Sequence, residues 1–257
     1  MKQVVDPYRF PEAHMPQWET DVRIAQELLV QGNDLSHVEK FMNFPVFSVR
    51  QTITRFLVRH ELFKMVLDIP GAIFECGVLF GGGLFSFAHF SAIFEPVNAQ
   101  RRIVGFDTFE GLPVLHEKDG GGNAVSSKLR REAMAMDSYE YLEKAIKVFD
   151  MNRPLSHLPR VELVKGDVTK TMPKYLSDNP QALVSMIYLD MDIYLGTKAA
   201  IEACLPRMPK GAIIAFDEFS CERWPGETRA LLDTIGVQGK QLKRFPYDSY
   251  VSYLVVD

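Results

Sequence analysis

Five acidic side chains in this chain each follow an apolar run that predicts a β-strand. They are Asp107, Asp190, Asp192, Asp217 and Glu218. Ligands of an open parallel α/β sheet bind just beyond the carboxyl ends of its strands. Acids at the ends of several strands therefore meet in space although they are far apart in the sequence. Such a group of carboxylates suits a ribose hydroxyl, a hard cation or a proton acceptor.

A glycine-rich turn lies about thirty residues before Asp107. The turn, GVLFGGG at residues 77–83, joins an apolar segment to a helical pattern. Glycines permit close backbone approach there, and a helix N-terminus presents free N–H groups. The fingerprint GxGxxG fails because its second glycine falls on Leu79, but the looser GxxxGxG is met. The turn predicts a site for a ribose, a pyrophosphate or a carboxylate.

Two aspartates are candidates for contacts with a nucleoside. Asp107 ends a predicted strand and can accept both ribose hydroxyls, because an ionised carboxylate offers two acceptor oxygens. Its alternative role is a helix cap or a turn, since Thr108 follows. Asp167 comes after another predicted strand, at the place where the edge of an adenine would lie. The alternative for Asp167 is an Asx turn.

Four carboxylates lie at the ends of two further predicted strands, LVSMIYLDMD and GAIIAFDE. Carboxylates this close repel one another unless a cation or a shared proton compensates. Magnesium accepts carboxylate oxygens while it keeps some of its waters, and no nearby His or Cys pair indicates zinc. The alternative is that Asp217 and Glu218 cap the next helix or pair with Arg223 or Arg229.

Strand and helix patterns alternate from residue 71 onwards. This alternation predicts a mostly parallel sheet with right-handed crossovers. A closing antiparallel pair is predicted over residues 241–245 and 250–256, and helical patterns cover residues 20–31 and 48–68. Residues 111–127 contain a glycine tract, which is either a lid or an ordinary surface loop.

Composition narrows the class of protein. The 257 residues are 47% hydrophobic, which is enough for one large α/β domain with a cap. A net charge of −4 gives no basic footprint for nucleic acid. Three cysteines without a CxxC pair predict a reduced, cytoplasmic environment. The sequence shows no signal peptide and no apolar run of membrane-spanning length, so no membrane partner is expected.

Several ordered motifs together resemble the macrocin O-methyltransferase family. They are ECGV at 75–78 with GGG at 81–83, GFDTFEGLP at 105–113, and LDMDIY at 189–194 with Thr197. The similarity runs from about residue 43 to about residue 235. The ordered set is specific, whereas each block alone is weak.

The resemblance implies an α/β class I methyltransferase fold, with a mostly parallel seven-stranded sheet and helices on both faces. It implies an N-terminal helical cap over residues 1–47 and an S-adenosylmethionine-binding domain over residues 48–257. The expected activity is S-adenosylmethionine-dependent O-methylation of a sugar or nucleotide sugar, such as the deoxysugar of TDP-rhamnose, in antibiotic biosynthesis. A homodimer or higher homo-oligomer is also expected, although the sequence leaves the oligomeric state open.

The resemblance assigns site residues as well. Asp192 is expected to be the catalytic base. The implied cofactor-binding residues are Glu75, Gly77, Val78, Gly81, Asp107, Thr108, Asp167, Val168 and Asp190. The implied magnesium ligands are Asp190, Asp217 and Glu218. At the last position the chain departs from the family, whose usual Asp-Asp-Tyr is Asp217-Glu218-Phe219 here. The extra methylene of Glu218 moves the oxygen, so the metal is less firmly implied than the fold.

Two other classes of protein fit part of the pattern. A short-chain dehydrogenase is suggested by the glycine turn and by the Tyr-x-x-x-Lys spacing of Tyr194 and Lys198. Against it, Tyr194 is expected at a strand end rather than on a helix, and that enzyme class gives no reason for the acids. A non-catalytic nucleotide-binding domain is the second alternative, since fold alone does not establish activity. Within the methyltransferase interpretation, a phenol or catechol acceptor also stays open.

Overall fold

A computed structural model describes residues 17–113, 115–120 and 137–257 of the chain. The chain divides into two compact units, Met1–Leu57 and Val58–Asp257. The predicted boundary between residues 47 and 48 stays a prediction. Within the described ranges, no helix combines the length and the apolar character that crossing a membrane requires.

Short helices make up the first unit. They are α1 (Gln17–Gln31), α2 (His37–Met42), α3 (Phe44–Phe47) and the beginning of α4 (Arg50–Met65). Helix α2 begins with a capping box, in which Ser36 and Glu39 satisfy each other's backbone N–H groups. The side-chain amide of Gln26 donates to the Phe47 carbonyl over 2.7 Å, which joins α1 to the end of α3.

The second unit contains one sheet of seven strands. The strands are β1 (Ala72–Cys76), β2 (Ile103–Asp107), β3 (Val161–Lys165), β4 (Val184–Leu189), β5 (Ile213–Phe216), β6 (Lys243–Arg244) and β7 (Ser252–Val255). The helices between them are α5 (Gly82–Phe94), α6 (Tyr139–Met151), α7 (Val168–Asp178), α8 (Tyr194–Cys204) and α9 (Gly226–Thr234). Short 3₁₀ turns cover Glu117–Asp119 and Leu205–Arg207.

The strand order is β3-β2-β1-β4-β5-β7-β6. Strands β1 to β5 are parallel, whereas β7 is antiparallel to both β5 and β6. The order reverses between β1 and β4, because β1 pairs with β2 on one side and with β4 on the other. In such sheets the crevice at the reversal point is where ligands bind. The topology therefore places the glycine turn and Asp190 at the expected ligand edge.

Both faces of the sheet are covered by helices. Successive strand residues point to opposite faces, so Phe74 and Ile187 pack on the side of α7 and α8, while Ile73 and Met186 pack on the side of α4 and α5. Every residue of β1 is buried, as a central parallel strand requires. This arrangement confirms the predicted fold class.

Predicted and observed strands agree closely in the parallel part of the sheet. The apolar pattern predicts a strand over residues 161–165, where β3 is found, and another over residues 183–189, of which β4 lacks only the first residue. The closing pair is antiparallel as predicted, but β6 has only two residues. The predicted glycine-rich loop over residues 111–127 is described only up to Gly120, apart from residue 114, and its remainder lies outside the described residues.

Candidate functional site

A cavity of about 300 Å³ opens at the carboxyl ends of β1, β2 and β4. The backbone ladder continues past the strands there, with Asp190 N–H donating to Cys76 and Gly77 N–H donating to Phe106. Eight residues predicted from the sequence line this cavity. They are Glu75, Gly77, Val78, Asp107, Thr108, Val168, Asp190 and Asp192.

Gly77 is required by the backbone geometry where β1 and β4 end. Its φ is +93°, in the left-handed region that favours glycine. A Cβ atom there would overlap the backbone carbonyl of Asp190. The glycine thus lets the turn after β1 lie directly against the chain that carries Asp190 and Asp192.

Asp107 holds the turn after β1. Its Oδ2 atom accepts hydrogen bonds from the N–H groups of Val78 and Leu79, at 2.8 and 2.9 Å. Its Oδ1 atom accepts from the Phe109 N–H at 2.7 Å. A carboxylate has about four acceptor positions in all, so room is left for a ligand hydroxyl. The ribose and turn roles considered for Asp107 are therefore compatible.

Glycines 81 and 83 serve packing in different ways. Gly83 lines the cavity, and a Cβ there would overlap Oε1 of the buried Glu75 carboxyl. Gly81 has a φ of +83° and precedes α5, but it is not among the residues that line the cavity. A Cβ at Gly81 would press against the side chain of Leu142. The structure thus shows Gly81 shaping the turn, and its predicted contact with the cofactor stays a prediction.

Asp167 caps helix α7. Its Oδ1 atom accepts from the backbone N–H and the hydroxyl of Thr169, at 2.9 and 2.8 Å. Asp167 is not among the cavity-lining residues, whereas its neighbours Gly166 and Val168 are. The geometry matches the turn role considered from the sequence, and the contact of Asp167 and Val168 with an adenine stays a prediction.

Asp192 combines burial with an unusual backbone. The residue is 7% exposed, lines the cavity and has a φ of +59°. Left-handed non-glycine residues are uncommon and concentrate at functional sites, where surrounding contacts maintain them. The chain therefore turns sharply after β4 and brings Asp192 to the cavity together with Asp190.

Asp217 and Glu218 do not line the cavity. The Tyr188 hydroxyl donates to Oδ1 of Asp217, which is 3% exposed. No group of three or more His, Cys, Asp or Glu side chains in the described ranges is arranged to hold a metal ion. The donor chemistry of the three predicted ligands suits magnesium, but the side chains as placed do not form a ligand set.

Glu227 is a site residue that the sequence pattern did not indicate. It is fully buried, and its Oε1 atom accepts from the N–H groups of Met191 and Asp192, both at 3.3 Å. Its Oε2 atom accepts from the Glu218 N–H at 3.2 Å. Burial, followed by nearby carboxylates, raises the pKa of Glu227 well above its ordinary value. In the sequence it resembles an ordinary acid of a first helical turn, so only its long-range contacts identify it.

Arg59 is a second residue missed by the sequence pattern. It lies on α4, lines the cavity and forms an ion pair with Asp190, with Nη2 3.7 Å from Oδ2. Burial alone would lower the pKa of the guanidinium, but Tyr188 and the neighbouring carboxyl groups raise it overall. Burial also raises the pKa of Glu75, against the opposing charge of Arg59. The guanidinium of Arg59 therefore supplies a positive charge that offsets part of the repulsion among the carboxyl groups.

The sequence expectation for Tyr194 was wrong in one respect. Helix α8 begins at Tyr194, so Tyr194 and Lys198 do lie on adjacent turns of one helix. The Tyr194 hydroxyl donates to Asp233 at 2.9 Å, and Lys198 pairs with Glu202 at 3.7 Å. Neither residue lines the cavity. The dehydrogenase pair is thus present in sequence, but both side chains lie outside the cavity lining and bond to other residues.

Comparisons with known proteins agree with this geometry. Residues 53–232 match the family described as macrocin-O-methyltransferase (TylF). The calicheamicin methyltransferase CalS11 is 35% identical, with a TM-score of 0.88 over 94% of both chains. Its apo structure, described as a TDP-rhamnose 3'-O-methyltransferase, is 34% identical, with a TM-score of 0.80 over 94% of this chain and 96% of that one.

A curated relative is more distant. The 8-demethyl-8-(2,3-dimethoxy-alpha-L-rhamnosyl)-tetracenomycin-C 4'-O-methyltransferase of Streptomyces olivaceus is 23% identical over 158 residues. The match covers 60% of this chain and 55% of that protein, so it spans about half the length of the relative.

Proposed function

Because the chain belongs to the macrocin O-methyltransferase family, we propose that it transfers the methyl group of S-adenosylmethionine to a hydroxyl of a sugar or nucleotide sugar. The observation that carries this proposal is a single cavity lined by the glycine turn, Asp107, Asp190 and Asp192. A nucleoside-binding turn and a pair of carboxylates at one reversal point are what an alcohol methyltransferase needs.

The donor would occupy the edge between β1 and β4. Asp107 would receive a ribose hydroxyl at its remaining acceptor position, while it continues to hold the N–H groups of Val78, Leu79 and Phe109. Val168 lines the wall on which an adenine would lie. S-adenosylmethionine, when bound, supplies an electrophilic methyl group.

Asp192 would act as the general base. A sugar hydroxyl holds its proton tightly, so transfer requires an acceptor for that proton during attack. Asp192 would take that proton while the hydroxyl oxygen receives the methyl group that the bound donor supplies, and S-adenosylhomocysteine would leave as the second product. Alignment of the two reactants in a closed site contributes roughly 7–11 kcal/mol in well-oriented systems. Glu227 would support this alignment by holding the backbone of Asp192.

The acceptor is proposed from the relatives. CalS11 is described as a TDP-rhamnose 3'-O-methyltransferase, and the Streptomyces olivaceus protein is named for methylation of a rhamnosyl group. A deoxysugar, either attached to a nucleotide or to an aglycone in an antibiotic pathway, is therefore the proposed substrate class. Magnesium assistance is proposed from the sequence pattern alone, and no step above depends on it.

The test is a methyl-transfer assay with radiolabelled S-adenosylmethionine over a panel of nucleotide sugars, with products identified by mass spectrometry. We expect one deoxysugar nucleotide to be labelled on a single hydroxyl. If a catechol added to the panel is the only compound labelled, the acceptor is aromatic and the sugar proposal is wrong. Binding of S-adenosylhomocysteine without transfer to any acceptor in the panel would support a non-catalytic domain, and binding of NADP instead would support the dehydrogenase.

A further inference from the structure

Arg59 is the only basic side chain among the described residues that line the cavity. Its guanidinium carbon lies 5.3 Å from the ring centre of Tyr188, and the side chain is 14% exposed. An ion pair at 3.7 Å to Asp190 is too long for a hydrogen bond. The guanidinium is thus held in place by the charge of Asp190 and the ring of Tyr188. Its Nε donor has no hydrogen-bond partner in the described structure.

Arg59 and Glu75 each have a polar side-chain atom beside the cavity that is buried without a hydrogen-bond partner in the described structure. These atoms are Nε of Arg59 and Oε2 of Glu75. Buried donors and acceptors are normally paired, and leaving them unpaired costs free energy. A ligand that offers both an acceptor for Arg59 and a donor for Glu75 would satisfy both.

The charge of the cavity wall restricts that ligand further. Three aspartates line the cavity, together with Glu75, whose pKa is raised by burial, against one guanidinium; the aspartates are Asp107, Asp190 and Asp192. A pyrophosphate would bring two negative charges into this wall and be repelled. An amino acid carries one carboxylate and one ammonium, and the sulfonium of S-adenosylmethionine adds a further positive charge. The wall therefore complements the methionine end of the donor.

We propose that Arg59 binds the α-carboxylate of the methionine portion of S-adenosylmethionine, while Glu75 and Asp190 face its ammonium group. This assignment rests on the proposed function and adds a binding residue to it. A planar guanidinium recognises a carboxylate through paired N–H donors, which lysine does not reproduce. Arg59 thereby distinguishes the intact donor from nucleosides that lack the amino acid carboxylate.

The test compares S-adenosylmethionine with its decarboxylated form by titration calorimetry. The two ligands differ only in the group that Arg59 is proposed to bind. We expect the wild-type protein to prefer the intact ligand by roughly 10- to 100-fold, the usual range for a charge-assisted hydrogen-bonded contact. Arg59→Gln should lose that preference, with affinity for the decarboxylated ligand changing less than about 3-fold.

Two further variants control this result. Lys64→Gln removes a positive charge from the same helix at a side chain 48% exposed, and it should keep the wild-type preference. Arg59→Lys keeps the positive charge and is less disruptive to folding than Arg59→Gln. Its preference for intact S-adenosylmethionine should lie between those of the wild type and Arg59→Gln. Thermal unfolding of each variant reports whether the fold is intact.

The outcomes separate this inference from the proposed function. A wild-type protein that binds neither ligand overturns both. Arg59→Gln that keeps the preference, or weakens both ligands equally, overturns the assignment of Arg59 and leaves the methyltransferase proposal standing. The assignment is also overturned if Arg59→Gln raises only the KM for the nucleotide sugar, because Arg59 would then bind the acceptor.

Discussion

The carboxylate of Asp107 lies 2.8 Å from the backbone nitrogen of Val78, so the acid that ends β2 organises the turn that follows β1. One side chain thus shapes the glycine turn and keeps an acceptor position for the proposed ribose. This relationship joins two residues that are 29 positions apart. It makes the turn and the proposed ribose acceptor a single unit that one substitution can disrupt.

Asp107→Ala is expected to weaken binding of S-adenosylhomocysteine and to lower stability. Removing the carboxylate leaves the N–H groups of Val78 and Leu79 without their acceptor, at a cost of about 1–3 kcal/mol. Asp107→Asn keeps one acceptor oxygen and should be milder. Calorimetry and urea unfolding measure the two effects. Glu110→Gln, at a side chain 75% exposed on the same loop, is the control and should change neither.

Adjacent glycines at the start of α5 should respond differently to alanine. Gly83→Ala would drive a Cβ into the buried Glu75 carboxyl and should cost about 1–3 kcal/mol, as overpacking does. Gly82→Ala meets no atom within 4 Å and should be neutral or stabilise by up to about 1 kcal/mol. Urea unfolding measures the free energy of unfolding of both variants. An equal loss of this free energy at both positions would contradict the placement of Glu75.

Asp192→Asn is expected to reduce kcat by roughly 10²- to 10⁴-fold, because a positioned base contributes about that much. Asparagine is the suitable replacement, since it tolerates the left-handed backbone at φ +59° better than alanine does. Affinity for S-adenosylhomocysteine should stay within about 3-fold of wild type if only the base is lost. A near wild-type rate would remove Asp192 from the mechanism. Asp178→Asn on α7, exposed at 56%, is the matched control.

Glu227→Ala should lower kcat more than it changes the KM for the donor. The substitution leaves the N–H groups of Met191, Asp192 and Glu218 without an acceptor, which lets the two acid-bearing loops move. A displacement of this kind costs on the order of 100-fold in rate, and the orphaned donors cost about 2 kcal/mol or more in stability. Glu227→Gln should recover part of both losses, whereas Glu222→Gln on the surface should have no effect. A change confined to KM would show that Glu227 does not position the base.

Chelation tests the magnesium prediction. Dialysis against EDTA should lower the rate, and added Mg²⁺ should restore it, because a cation next to the acceptor oxygen favours loss of its proton. Binding at the predicted ligands would require Asp217 to exchange the Tyr188 hydroxyl for the metal. Tyr188→Phe should therefore lower the Mg²⁺ concentration needed for half-maximal rate. Activity that is indifferent to EDTA removes the metal from the proposal.

The sequence alone determined the family, the mostly parallel α/β fold and eight of the residues that line the cavity. These follow from local signals: strand periods, the glycine turn and acids placed at strand ends, which a parallel sheet brings to one edge. The family assignment and the α/β fold were confirmed. The positions of Gly77, Asp107, Asp190 and Asp192 at one cavity needed no knowledge of distant contacts.

Only the tertiary structure decided which neighbours each acid has. Glu227 reaches Met191 across 36 positions, and Arg59 meets Asp190 from a helix that precedes the whole sheet. Asp217 faces Tyr188 rather than the cavity, although its place at a strand end is the same as that of Asp107. A side chain's partners depend on which elements pack against it, and no local period in the sequence encodes that packing.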